Sequence, residues 1–273
     1  MIDIHHHLLP GLDDGSPNME TSLKMIEMAS ADGITHIVCT PHANGRYAYD
    51  RARNQALLEE LQQKSGNKVT LGLGCDFHMS YDNIQDALDN PTRYAINGRA
   101  YLLVEFPDAS IPDSTNDNLY ELAVAKQIPI VTHPERNPVL QRHPEKLAAW
   151  VRDGALVQVT ASSLTGRFGR TAQTMAEKFL KQNWVHFLAT DAHNPESRPP
   201  IMSTGYDYVK KHYGAEYADR ICIENPRAVF EGKLMPPQPE ASGLYDYFDP
   251  EENRRHGGHG KPPGLFKRMF GLG

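Results

Sequence analysis

Short apolar segments alternate with longer amphipathic segments along most of this chain, and this alternation constrains the fold more than any other feature. Apolar, β-branched runs predict strands at 2–7, 36–41, 69–77, 101–106, 129–132, 156–160 and 186–190. Helical periodicity predicts helices between them at 19–31, 50–64, 116–126, 144–152 and 171–183. Strand alternating with helix predicts a parallel α/β barrel, with an open doubly wound sheet as the alternative.

The chain has 273 residues, which is enough for one sizeable domain. We predict that this domain covers residues 1–235. After Met235 the sequence becomes rich in proline and glycine and loses its periodicity, so residues 236–273 are predicted to form a flexible tail. The end of the tail, residues 265–270, is basic and apolar, and we interpret it as a frayed terminus or as a weak docking patch for a partner or an anionic membrane surface.

Composition excludes several classes of protein. The formal net charge of −6 gives no reason to expect a nucleic-acid partner. The chain has no secretory signal and no apolar run of membrane-spanning length, and its three cysteines are unpatterned, so we expect a cytoplasmic protein. A cysteine-dependent phosphatase needs an arginine six residues after its nucleophile. The residues at that distance from Cys39, Cys75 and Cys222 are instead Gly45, Tyr81 and Ala228.

The first predicted strand ends in two histidines that indicate a metal site. Side chains alternate between the faces of a strand, so His5 and His7 point the same way, while His6 faces away and is expected to pack. Two imidazoles on one face can chelate a borderline metal ion. The turn that follows returns the carboxylate of Asp14 toward the same place. A fragment of a polyhistidine tag is the alternative interpretation.

Most of the other predicted strands also end in a histidine or a carboxylate. A single histidine at such a position is more often a packing residue, and His36, His78 and His186 are assigned to that class. In a parallel α/β fold, however, these strand ends meet at the active site, and so many close carboxylates and imidazoles predict a cluster of bound cations. The candidate residues at these ends are His42, Asp76, Glu105, His133, Asp191 and His193.

Two arginines follow closely on these strand ends. Arg136 comes three residues after His133, and Arg198 comes five residues after His193. Taken alone, each arginine could form a surface salt bridge. Beside a metal cluster, a forked guanidinium suits an oxyanion with several equivalent oxygens, so we predict phosphate binding.

These motifs together resemble the polymerase-and-histidinol-phosphatase (PHP) superfamily. Within it, the chain is most similar to the bacterial manganese-dependent protein-tyrosine phosphatases of capsule and exopolysaccharide operons. The similarity extends from Met1 to about Met235. The motifs that carry it are Met1-Ile-Asp-Ile-His-x-His7, Asp13-Asp14-Gly15, Thr40-Pro41-His42, Glu105-Phe106, His133-Pro-Glu-Arg136, Asp191-x-His193-Asn194-x-x-Ser197-Arg198-Pro199-Pro200 and Glu224-Asn225-Pro226.

The resemblance implies a distorted seven-stranded (β/α)7 barrel, the PHP fold, that holds three divalent ions. Manganese is expected, and iron or zinc is also compatible with these ligands. The first ion would be held by His5, His7, Asp76 and Asp191, the second by Asp76, Glu105 and His133, and the third by Asp14, His42 and His193. Arg136 and Arg198 would bind the phosphate. The bridging position, here Asp76, is commonly glutamate in the family.

The implied reaction is hydrolysis of phosphotyrosine by a hydroxide that the metal ions activate, with no covalent intermediate. His42 or His193 would assist as an acid. The implied substrate is the phosphorylated tyrosine-rich tail of a membrane-associated tyrosine kinase of polysaccharide export, which would place the enzyme in the cytoplasm, peripheral to the inner membrane. Two alternatives remain: a small-molecule phosphatase similar to histidinol phosphatase, and a non-catalytic, metal-bearing module that docks onto a kinase.

Overall fold

The strands and helices follow the predicted alternation in this computed structural model, which describes residues 1–247. The strands are β1 (Ile2–His6), β2 (His36–Cys39), β3 (His42–Ala43), β4 (Thr70–Leu73), β5 (Asp76–His78), β6 (Tyr101–Glu105), β7 (Ile128–Thr132), β8 (Leu156–Thr160) and β9 (Phe187–Ala189). The helices are α1 (Met19–Ala31), α2 (Arg51–Lys64), α3 (Tyr81–Asp89), α4 (Thr115–Val124), α5 (Pro138–Arg142), α6 (Pro144–Asp153), α7 (Gly169–Lys181), α8 (Ser203–Tyr213), α9 (Ala215–Asp219) and α10 (Asn225–Glu231).

The strands form two sheets, in which every pair of neighbours is parallel. One sheet has the order β1-β2-β4 and the other has the order β3-β5-β6-β7-β8-β9. The predicted strand at 69–77 is divided into β4 and β5, while the predicted strand at 36–41 ends early as β2 and is followed by the short β3, which was not predicted. The chain beyond β9 returns to β1, where the amide of His7 donates to the carbonyl of Ala192 at 2.9 Å. The prediction of an α/β fold with parallel strands is therefore confirmed.

Apolar side chains from strands in both sheets form one shared buried cluster. Its members include Ile4 of β1, Leu103 of β6, Ile130 of β7 and Phe187 of β9, each fully buried. A larger cluster fills the space between the sheets and the helices. The polar side chains of the candidate site follow these apolar positions at the carboxyl ends of the strands. The packed core therefore holds in place the strands that carry them.

Helix α1 has the predicted bounds, while several other helices were absent from the prediction. The helix predicted at 144–152 corresponds to α6, which Gly154 caps with a φ of 107°. The sequence analysis did not predict α3, α5, α8, α9 or α10. The last two flank a π-helical stretch, Arg220–Glu224, whose hydrogen-bond spacing breaks the 3.6-residue pattern that sequence analysis looks for.

The structure differs from the predicted flexible tail over residues 236–247. This segment has neither helix nor strand, but the buried indole of Trp184 donates to the carbonyl of Ser242 at 2.8 Å. The amide of Ser242 in turn donates to the carbonyl of Gln182 at 2.9 Å. Tyr247 packs against the ring of Trp184, with 6.4 Å between centroids. The buried indole N–H requires an acceptor, and this segment supplies it. The remainder of the predicted tail, including 265–270, lies outside the described residues.

Within residues 1–247, no helix is long and apolar enough to cross a membrane.

Candidate metal centre

The two histidines at the end of β1 point the same way, as predicted. Their Nε2 atoms lie 3.3 Å apart, and both side chains are buried. Asp3 pairs with Ile37 and His6 pairs with Cys39, so β1 contains a bulge between Asp3 and His6, in the stretch that includes His5. His6 is buried as well, and neither of its ring nitrogens has a hydrogen-bond partner among the described residues.

Seven of the predicted ligands fall into three groups that share members. Each group has its ligand atoms within 4.8 Å of one another. His7, His42 and Asp76 each belong to two groups, so the three groups form one connected cluster. The groups are His5 with His7 and Asp76; His42 with Asp76 and Glu105; and His7 with Asp14, His42 and His193.

The two other predicted ligands, Asp191 and His133, lie at the edge of this cluster. Asp191 Oδ1 lies 3.5 Å from His5 Nε2 and 3.4 Å from His7 Nε2. His133 Nε2 lies 3.8 Å from Glu105 Oε1. Both residues have left-handed backbone, with φ of 51° at Asp191 and 33° at His133. Such a conformation is unfavourable for residues other than glycine and is concentrated at functional sites.

The donor atoms in the cluster fit bound cations. Both carboxylate oxygens of Asp76 and the Nδ1 atom of His42 are buried, and none of them has a hydrogen-bond partner in the described part of the chain. Asp76 Oδ2 lies 3.2 Å from His42 Nδ1, but the two do not form a hydrogen bond. A buried carboxylate without a partner is strongly unfavourable, and a divalent cation would satisfy it. Imidazole and carboxylate ligands suit manganese, iron or zinc.

The carboxylates of the cluster have strongly perturbed pKa values. Burial would raise the pKa of Asp76, but the neighbouring His5 and His42 outweigh it and hold that pKa well below its usual range. Burial raises the pKa of Glu105, and the charge of Asp76 raises it further. Two close carboxylates with opposite shifts are typical of a site in which negative charge is concentrated.

Both predicted phosphate-binding arginines reach this cluster. Arg136 Nη1 and Arg198 Nη2 donate to the same oxygen of Asp191, Oδ2, on the side away from the histidines. The Nε atom of Arg198 is buried and has no partner among the described residues. A cavity of about 120 Å³ adjoins Arg136, and its wall includes Glu105, His133 and Phe106. The paired guanidiniums therefore lie beside the ligand cluster, with N–H groups still available for an anion.

Sequence analysis missed the residues that orient the ligands. Asp13 Oδ2 lies 2.7 Å from His7 Nδ1 and accepts a hydrogen bond from the amide of His42 at 3.0 Å. Gln158 Oε1 lies 2.9 Å from His5 Nδ1. These contacts leave the Nε2 atoms of both histidines for the cluster. Asp13 was visible in the Asp-Asp-Gly motif, whereas nothing in the local sequence distinguished Gln158.

Two other buried carboxylates were also missed, and both join the elements around the site. Asp3 accepts hydrogen bonds from the amide and the hydroxyl of Thr190, which connects β1 to the end of β9. Burial raises the pKa of Asp3 to about 6. Glu135 accepts from the Thr160 amide at 3.0 Å and from the Ser163 hydroxyl at 2.7 Å.

The histidines assigned to packing divide into two groups. His36 and His186 form hydrogen bonds away from the cluster, with the Thr35 hydroxyl and the Val157 amide respectively. His78 lies closer to the site, with its Nδ1 3.8 Å from Glu105 Oε2, but it belongs to none of the three ligand groups. Its position two residues after Asp76, on the same strand, accounts for this proximity. The three cysteines are buried and form no disulfide within the described residues.

Comparison with known proteins identifies the family to which this chain belongs. The family model for CpsB/CapC proteins of capsular polysaccharide synthesis matches residues 1–231. CapC of Staphylococcus aureus is 37% identical over 206 residues, which cover 74% of this chain and 80% of CapC. Tyrosine-protein phosphatase YwqE of Bacillus subtilis is 30% identical over 256 residues, which cover 91% of this chain and 100% of YwqE.

One similar solved structure comes from work on YwqE of Bacillus subtilis and CpsB of Streptococcus pneumoniae, described as metal-dependent tyrosine phosphatases. It matches with a TM-score of 0.82 at 29% identity and covers 88% of this chain and 99% of that chain.

Proposed function

Because this chain belongs to the CpsB/CapC family of capsular polysaccharide synthesis, we propose that it is a metal-dependent protein-tyrosine phosphatase. One observation carries the proposal. Three groups of ligand atoms share His7, His42 and Asp76, and two arginines with available N–H groups lie beside them. Structural metal sites close their coordination with their own ligands, whereas this arrangement leaves donors for a bound anion.

We propose that the cluster holds three divalent ions, with manganese as the native metal. Asp76 would bridge two of them, since both of its oxygens lack other partners. His5, His7 and Asp191 would complete the first site, Glu105 and His133 the second, and Asp14, His42 and His193 the third. Aspartate is one methylene shorter than the glutamate common in the family. Here its carboxylate already lies between His5 and His42, 3.5 Å and 3.2 Å from their ring nitrogens, at the start of β5.

The chain's own residues would bind and orient the phosphate. When bound, the ions supply positive charge and lower the pKa of coordinated water. Arg136 and Arg198 would bind equatorial phosphate oxygens through the N–H groups that Asp191 leaves free. A phenolate leaves with less protonation than an alkoxide, so the reaction needs little help from a general acid, and His42 or His193 would supply a proton only through a ring nitrogen that holds no ion.

We propose the phosphorylated tyrosine-rich tail of a membrane-associated bacterial tyrosine kinase of polysaccharide synthesis as the substrate. Asp14 is 50% exposed, so the ligand cluster opens to solvent on this side, which suits an extended peptide better than a closed small-molecule pocket. The enzyme would act in the cytoplasm, at the inner membrane through its substrate. The basic and apolar residues 265–270, which lie outside the described residues, would support this location by weak docking to an anionic membrane surface.

We further propose that the two sheets close into the distorted seven-stranded barrel of the PHP fold. β2 continues into β3 and β4 into β5, which reduces the strands to seven. The pairing of His6 with Ala192 would close the remaining side. In this arrangement the catalytic domain extends to about Met235, and the segment that follows is an accessory to it.

The test is phosphate release from a tyrosine-phosphorylated peptide, measured with metal-stripped protein and with the same sample after manganese is restored. We expect turnover only with metal, and loss of turnover in His5→Ala and Asp191→Asn. His36→Ala is the matched control, because His36 forms its hydrogen bond away from the cluster. Preference for histidinol phosphate over the peptide would favour a small-molecule phosphatase, and peptide binding without phosphate release would favour the docking module.

A further inference from the structure

The connection between β8 and α7 reaches both loops that carry the phosphate-binding arginines. The end of β8 supplies none of the predicted metal ligands. We propose that Arg167 and Phe168, in this connection, are positioning residues that hold the guanidiniums of Arg136 and Arg198 in place for phosphate. The inference rests on the proposed function, since it concerns how that site binds its substrate.

The ring of Phe168 stacks on the face of the Arg136 guanidinium. The Cζ atom of Arg136 lies 4.2 Å from the centroid of the Phe168 ring. The edge of the same guanidinium donates to Asp191 and, at 3.4 Å, to the hydroxyl of Thr160. Stacking on an aromatic ring restricts the plane of a guanidinium but uses none of its N–H groups. Phe168 therefore fixes the orientation of Arg136 without competing with an anion.

Arg167 holds the loop that carries Arg198. Its Nε donates to the carbonyl of Ser197 at 2.6 Å, and its Nη2 donates to the carbonyl of Glu196 at 3.4 Å. These are the two residues directly before Arg198. The loop is already compact, because the amide of Arg198 donates to Asn194 Oδ1 at 3.1 Å. Arg167 thus connects this loop to the residue that stacks on Arg136.

The connection that carries both residues is itself anchored beneath the site. Glu135, next to Arg136 in the sequence, is fully buried and accepts hydrogen bonds from Thr160 and Ser163 at the start of the connection. Gly166 and Gly169, with φ of 82° and 86°, supply the left-handed turns on either side of Arg167 and Phe168. The connection therefore approaches both arginines from a fixed base.

Electrostatics explains why the arginines need such support. Arg136 and Arg198 share one oxygen of Asp191, so two like charges lie close together and repel each other. The ring of Phe168 restrains Arg136 directly, and Arg167 restrains the loop of Arg198 through two backbone carbonyls, so neither contact adds a carboxylate that would repel phosphate. Donors held in advance at the spacing of phosphate oxygens bind them without further reorganisation.

The direct test is calorimetric titration of inorganic phosphate into manganese-loaded protein, for the wild type and for Phe168→Ala, Phe168→Tyr and Arg167→Ala. We expect Phe168→Ala to raise the phosphate Kd roughly 3- to 30-fold, as loss of a cation–π contact implies. Phe168→Tyr should restore the wild-type Kd, because tyrosine keeps the aromatic face. Arg167→Ala should also raise the Kd. Arg170→Ala, an exposed arginine in the same region, is the control and should leave it unchanged.

Metal content and steady-state kinetics separate positioning from a general loss of structure. Positioning predicts unchanged bound manganese in Phe168→Ala, with a rise in KM for the phosphopeptide larger than the fall in kcat. Wild-type phosphate affinity in both alanine variants would overturn the inference, and so would loss of manganese together with phosphate. If the wild type binds phosphate but releases none from phosphotyrosine, the proposed function fails, and the Kd values alone decide the positioning role.

Discussion

Asp13 and Gln158 determine which ring nitrogen of two buried histidines faces the ligand cluster. Asp13 accepts a hydrogen bond from Nδ1 of His7 at 2.7 Å, and Gln158 accepts one from Nδ1 of His5 at 2.9 Å. Asp13 has its pKa lowered to about 2: burial would raise it, but the neighbouring His7 outweighs burial. The charged partner makes His7 a stronger ligand through Nε2 and fixes its ring plane.

At the residue scale we therefore predict that Asp13→Asn weakens metal binding by about 10- to 100-fold. The amide cannot supply the negative charge that supports His7, although it retains a similar size. Metal titration of the stripped variant, followed by calorimetry, measures the effect. Asp32→Asn is the control, because Asp32 caps α8 by accepting from the amides of Met202 and Ser203, away from the cluster. Equal metal affinity in Asp13→Asn and the wild type would contradict the prediction.

Sequence analysis identified the candidate ligands but not the residues that support them. The ligands stand where a strand ends, and the alternation of strand and helix is a local pattern that brings those ends together. Gln158 contacts His5 across 153 residues of chain, and it lies inside β8 among apolar neighbours. A contact of that kind depends on the register of several strands, which no local pattern encodes. The proximity of His78 to Glu105 was not predicted for a related reason, since it follows from the pairing of β5 with β6.

At the element scale, Gly15 sets how closely the turn after β1 returns to that strand. A Cβ atom at this position would lie 2.3 Å from the carbonyl oxygen and 2.4 Å from the Cβ of His7. The same turn carries Asp13 and Asp14, so its close approach brings one carboxylate to His7 and the other to the exposed edge of the cluster. Only glycine allows this approach.

We predict that Gly15→Ala lowers the free energy of unfolding by about 1–3 kcal/mol, because the turn must move away from His7. The displaced carboxylates should also weaken metal binding. Gly45→Ala is the matched control, since a Cβ there would meet nothing within 4 Å. Chemical denaturation and metal titration of both variants test the prediction. A stable Gly15→Ala protein with unchanged metal affinity would show that the turn does not need this contact.

The differences between the predicted and the observed elements also have identifiable causes. β2 and β3 are separated by Thr40-Pro41, and proline has no amide to donate to a neighbouring strand. Helix α8 carries Gly205 in its first turn, where a Cβ would come within 2.9 Å of Ala161 and Leu188. Glycine disfavours a helix in isolation, and here it permits close packing of the helix on the strands. Tertiary packing therefore outweighs local propensity at this position.

At the scale of the whole molecule, residues 236–247 belong to the packed structure. The side chains of Asn225 and Gln238 donate to each other at 2.9 Å in both directions. The ammonium of Lys178 lies 5.0 Å from the centroid of the Tyr247 ring. The proline and glycine content of this segment predicted flexibility. Composition alone does not show that the side chains of Trp184 and Asn225 find hydrogen-bond partners in it. Contacts with the packed structure therefore continue as far as Tyr247.

We predict that a chain ended after Met235 unfolds more easily than one ended after Tyr247. The shorter chain loses the hydrogen bond from the Trp184 indole and the packing of Tyr247 on its ring, which together cost roughly 1–3 kcal/mol. Thermal unfolding of the two truncated proteins, compared with the full chain, measures the difference. Equal midpoints for both truncations would contradict this account of the segment.

The measurement that tests the central claim most directly is manganese bound per chain, determined together with phosphate release from a tyrosine-phosphorylated peptide on the same samples. Asp76→Asn is the decisive variant, because Asp76 belongs to two of the three ligand groups. We predict that metal content and turnover fall together in this variant, while His36→Ala keeps both. Undiminished phosphate release by metal-stripped wild-type protein, or full metal content and turnover in Asp76→Asn, would contradict the account.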